Sequence, residues 1–196
     1  MPRIVNYPEV CEQAQALGLQ SLYHNSGAFG FPESVSVKAV GWVGPPDASI
    51  RPSAMAFVRH VPPPYELNLA TVAARAWLDR LPGPAWVLPK SHWAFELDFG
   101  SAAWMPAALR NVSIDPKLLQ GRNDGSAIEF LPTEETAFSN FAQRLLTDLT
   151  GSDFAILFPA HPVVCTLHHH KQIWWTTPEE ALHGYLDALP SSESED

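Results

Sequence analysis

Cysteine is scarce in this chain: Cys11 and Cys165 lie far apart and share no CxxC spacing. That excludes a disulfide framework of the kind small secreted domains rely on. Positive charge is scarce too, with 12 Lys and Arg against 21 Asp and Glu and a formal net charge of -9. A polyanion meets repulsion from such a field and no basic cluster offsets it, so nucleic acid is not an expected partner. No stretch approaches the roughly 20 apolar residues that a membrane span needs. Residues Met1 to Pro8 hold no apolar run of signal-peptide length, so a soluble protein of the cytoplasm is expected.

The common catalytic signatures are missing as well. There is no Walker A loop, no GxGxxG after a strand and no GxSxG elbow. Asp98-Phe99-Gly100 spells the magnesium-binding tripeptide of protein kinases. The glycine-rich loop, the HRD loop and the β3 lysine that give that tripeptide meaning are absent.

What is present is apolar and aromatic. Hydrophobic residues make up 46% of 196 residues, with 7 Trp and 10 Phe. A chain of this length buries roughly 70% of its unfolded surface and needs neither metal nor disulfide for stability. The 19 prolines gather in connectors such as Pro62-Pro63-Pro64 and Pro82-Gly83-Pro84. There they stiffen turns rather than form an extended PxxP ligand.

Periodicity places the elements. Val10, Ala14 and Leu17 share one helical face. Residues 35–43 alternate as a strand, in which Gly41 marks a bulge, and 54–61 follows as another. A helix over 67–81 carries the stripe Leu67, Ala70, Ala74, Trp77 and Leu81. Strands are predicted at 85–88 and 92–99, the second from Trp93, Phe95, Leu97 and Phe99 alternating with polar neighbours. After a strand at 126–131, a helix carries Phe138, Phe141, Ala142, Leu145 and Leu149. Strands at 153–158, 163–169 and 172–176 precede a last helix that Thr177-Pro178-Glu179-Glu180 opens.

The fold class expected is α+β, with a mixed or antiparallel sheet and packed helices. Residues 1–190 form one domain, and the acidic residues 191–196 a disordered tail. A β-α-β-β-α order occurs twice, over 53–111 and 126–190, with matching helix ends at Gly83 and Gly151. Duplication and chance both explain that match.

One segment concentrates chemistry: His161-Pro162-Val163-Val164-Cys165-Thr166-Leu167-His168-His169-His170. On a strand, His168 and His170 share a face and offer two imidazoles to zinc or another transition metal. His169 and Cys165 face the other way. A metal site needs a third ligand, with His92, His60 and His24 as candidates. A solvent-exposed, histidine-rich strand end beside Lys171 and Gln172 is the simpler explanation of the triplet. Cys165 paired with His161 or with a histidine of the triplet is the nucleophilic alternative, against which stands its buried-strand context. Glu96 and Asp98 form a carboxylate pair if they share a strand face. Adjacent Trp174 and Trp175 project to opposite faces, and an uncovered indole there forms an interaction surface.

The leading functional expectation is a non-catalytic protein that binds a protein or small ligand, with no assigned catalytic residue or cofactor and a homodimer left open. The rival is a metal-dependent, hydrolase-like enzyme built on His168 and His170.

Overall fold

A computed structural model describes residues 1–45 and 56–189. The predicted acidic tail and the start of the strand at 54–55 lie outside the described residues. Ten strands appear in chain order: β1 Arg3–Val5, β2 Gln20–Ser21, β3 Phe29–Gly30, β4 Lys38–Val43, β5 Ala56–His60, β6 Ala85–Pro89, β7 Ala127–Phe130, β8 Phe154–Phe158, β9 His161–His168 and β10 Gln172–Thr177. The helices are α1 Tyr7–Ala16, α2 Tyr65–Arg80, α3 Trp93–Phe95, α4 Met105–Asn111, α5 Glu135–Asp148 and α6 Glu180–Ala188.

Eight strands make one sheet in the order β1-β7-β6-β8-β9-β10-β4-β5. Every neighbouring pair is antiparallel except β4 and β5, which run parallel at one edge. The small β2–β3 pair stands apart as a separate two-stranded sheet. This is the α+β architecture expected.

The sheet divides the molecule in two. On one face Trp42, Val87, Phe130, Phe154, Phe158, Cys165 and Trp175 meet α2, α5 and α6 in a continuous apolar core. The predicted α5 stripe points into it whole: Phe138, Phe141, Ala142, Leu145 and Leu149 are all buried. In α2 the inward face is Leu69, Ala70, Ala73, Ala76 and Trp77, which turns Leu67 to solvent. On the other face Trp86, Leu88, Ala155, Leu157 and Val164 meet α1 and Phe29 in a smaller cluster.

Residues 92–99 are the main departure. They form α3 and a π-helical turn, Glu96–Gly100, rather than a strand. The alternating residues also fall four apart, so Trp93 and Leu97 point inward while Phe95 and Phe99 share the wet side. The His92 ring starts this helix, its Nδ1 accepting from the Phe95 amide at 3.1 Å. The element order over the described part of 53–111 is therefore β-α-β-α-α, unlike that over 126–190, and the structure does not bear out an internal duplication.

Gly41 is no bulge either. The register with β10 runs unbroken through it, Trp174 opposite Gly41. Its lack of a side chain serves a neighbour, since a Cβ there would stand 2.2 Å from the Trp174 ring.

Candidate functional site

The smaller face of the sheet is only partly covered, and a cavity of about 370 Å³ opens there. Leu22, Phe29 and Phe31 from the segment around β3 form one wall, and Val164, Thr166 and Trp174 of β9 and β10 form the other. Register places His168 and Gln172 opposite each other at one end of this strand pair, and Val164 and Thr176 at the other. Lys90, Asp153 and His168 line the cavity too. Charge thus collects at the His168 end while the rest of the wall is apolar or hydroxylated.

The wall is rigid for identifiable reasons. The Trp174 indole lies against Gly41, and its Nε1 donates to Gln172 Oε1 at 2.8 Å. Gln172 is fully buried and its Nε2 makes no hydrogen bond. The opposing segment is tied down where Gly27 passes the end of β6, so close that a Cβ would stand 2.2 Å from the Pro89 carbonyl. Leu22 N–H donates to the Ala28 carbonyl at 2.8 Å, closing the local loop.

At the charged end three chain segments converge: the exit of β6, the entrance of β8 and the turn after β9. Asp153 is the hub. Its Oδ1 lies 2.9 Å from His169 Nδ1 and accepts from the His169 amide at 3.3 Å. The same oxygen stands 3.9 Å from His168 Nε2, and Oδ2 stands 3.9 Å from Lys90 Nζ. His168 Nδ1 accepts from the His170 amide at 3.2 Å. Burial lowers the pKa of His168, opposed by the Asp153 charge, and the nearby Lys90 ammonium pushes the same way as burial.

The three imidazoles gather more tightly than strand parity predicts. Their ring centroids lie 4.3, 5.0 and 4.2 Å apart, and one donor nitrogen from each falls within 4.8 Å of the others. The reason is local: β9 ends at His168, and the chain turns through Lys171 at a φ of 58°. His169, expected on the opposite face, swings beside His168. None of the distant candidates supplies the third imidazole. His92 starts α3, His60 ends β5 at the far edge of the sheet, and His24 lies in the loop before β3.

The remaining sequence candidates separate. Cys165 is fully buried in the large core, where burial raises its thiol pKa well above normal, and His161 bonds the Pro82 carbonyl at the other end of β9. Glu96 and Asp98 are not a pair: Asp98 is exposed and Glu96 is fully buried. Trp174 and Trp175 do take opposite faces, and both are covered, at 6% and 1% exposure. Trp175 stacks on Phe158 in the large core, and Trp174 faces the cavity.

A second groove, beyond Asp153, is lined by Lys90, Ser91, His92, Ser152, Asp153 and His169. Beneath it sits Glu96, whose carboxylate accepts from Ser91, Ser101 and Ser152 hydroxyls at 2.7, 2.8 and 3.0 Å. Nothing in the sequence marks this cluster, because Ser152 is 56 residues away from Glu96. No known family matches the chain, and neither a curated protein nor a solved structure matches it.

Proposed function

We propose that this protein is a non-catalytic small-ligand-binding domain, its ligand seated in the cavity between Trp174 and the Leu22–Phe31 segment. The observation that carries the reading is the distribution of chemistry in the cavity. Aromatic and aliphatic walls supply affinity over most of its length, and a few polar groups at one end supply orientation. Phe29, Phe31 and Trp174 favour a ligand with a flat apolar body. Lys90, Asp153 and His168 favour a polar or charged group at one end of it. The volume suits a ligand of metabolite size rather than a folded partner. Both indoles being covered also favours a small molecule over a protein docked on Trp174-Trp175.

A thermal-shift screen of planar aromatic fragments, graded from carboxylates through neutral amides to amines, tests the reading. Hits are expected to stabilise the wild-type protein and to lose that effect in Thr166→Trp, which fills the cavity from β9. They are expected to keep it in Leu118→Ala, an exposed position remote from the cavity. Hits that stabilise Thr166→Trp as well as wild type would show that the ligand sits elsewhere.

A further inference from the structure

We propose that His168, His169 and His170 form a site for one divalent transition metal ion of the zinc type, with Asp153 as the group that orients its ligands. The proposal stands on geometry independent of the cavity ligand. Three imidazoles on consecutive residues normally diverge; here the end of β9 and the turn through Lys171 gather them on one side of the chain. Their donor nitrogens fall within 4.8 Å of one another. Nitrogens at about 2.0–2.1 Å from a tetrahedral zinc ion lie about 3.4 Å apart. Closing that difference takes a shift of roughly an ångström at the nitrogens, made by ring rotation.

Asp153 supplies what metal-binding histidines usually have, a carboxylate on the nitrogen that does not coordinate. It holds His169 Nδ1 at 2.9 Å, which fixes the proton there and leaves Nε2 for the ion. The same oxygen stands 3.9 Å from His168 Nε2, beyond hydrogen-bond distance, and adds negative charge beside the cluster. His168 Nδ1 accepts from the His170 amide, so coordination through Nδ1 displaces that hydrogen bond and turns the ring away from the amide. An all-imidazole set selects zinc, cobalt, nickel or copper over magnesium and calcium, which prefer oxygen. Three protein ligands leave a fourth position for water or an incoming donor. His168 also lines the cavity, so the ion would stand near the cavity's charged end.

The test uses the untagged 196-residue chain, purified without a metal column and stripped with chelator. Titration with Co²⁺ is expected to saturate at one ion per chain, with the intense visible absorption of four-coordinate cobalt, and Zn²⁺ is expected to displace it. Asp153→Asn is expected to weaken binding about 10–100-fold. His169→Ala is expected to weaken it more, and His24→Ala not at all. Should a variant fail to fold, ring ¹⁵N shifts of the wild-type histidines under Zn²⁺ decide the matter: only those of residues 168–170 are expected to move strongly. Binding of equal strength in His169→Ala, more than one ion per chain, or the weak absorption of six-coordinate cobalt would overturn the site.

Discussion

The two faces of the sheet solve the same problem differently. On the α2–α5–α6 face, neighbouring residues Trp42, Phe158 and Trp175 interlock, with ring centroids 5.2 Å apart for Trp42 and Trp175 and 5.9 Å for Phe158 and Trp175. On the other face α1 and the segment around β3 cover β8 and β9 but leave a cavity against Trp174. Adjacent residues of one strand, Trp174 and Trp175, therefore sit in opposite environments. A packed face gives stability, a partly covered face gives the proposed ligand its place, and on that reading a strand with alternating sides serves both at once.

The strongest way to break this comparison is to truncate both indoles. Trp175→Ala empties a close-packed site and is expected to cost about 3–5 kcal/mol in urea titration. Trp174→Ala removes a ring already facing open space on one side, and its cost is expected to be about half as large. Equal losses would mean that the two faces are equally packed. Next in size is Glu96→Ala, which strips the acceptor from three serine hydroxyls and is expected to cost about 2–4 kcal/mol. Single serine-to-alanine changes are expected to cost about 1 kcal/mol each, a gap that the same titrations measure.

Gly41→Ala sharpens the contrast on the cavity side alone. The added methyl collides with Trp174, so a loss of about 1–3 kcal/mol is expected, along with a shift of the Trp174 indole signal while that of Trp175 stays in place. The smallest effect lies on the packed side, where Tyr185 joins α6 to α2 by donating to Asp79 at 3.0 Å. Burial and that bond raise the Tyr185 pKa from 10.0 to about 12. The folded protein holds this proton more tightly than the unfolded chain. Its contribution is thus intact below about pH 10 and is lost as pH rises towards 12. Alkaline absorbance titration of wild type and Asp79→Asn checks it, the variant being expected to titrate at lower pH.

Much of the fold was legible because its periods are clean. The α5 stripe and the opposite facing of Trp174 and Trp175 follow from spacing alone. Residues 92–99 misread because an every-second pattern also contains every-fourth pairs, and tertiary contacts chose the helix for Trp93 and Leu97. Glycine 41 misread because local sequence does not show which ring crosses it. At the candidate site, His168 and His170 were visible as a pair, but His169 was not, since its orientation depends on where β9 ends. Asp153 and the Glu96–serine cluster join residues distant in sequence, and the cavity depends on how far one loop reaches across the sheet. None of these has a linear signature.

The most direct measurement of the central claim is an indole ¹⁵N–¹H spectrum of the protein with and without a fragment that stabilises it. The Trp174 signal, identified by its loss in Trp174→Phe, is expected to move on binding while those of Trp42 and Trp175 hold still. Fragments that stabilise the protein yet leave the Trp174 signal unmoved, or that shift the indoles of the packed face instead, would contradict the account.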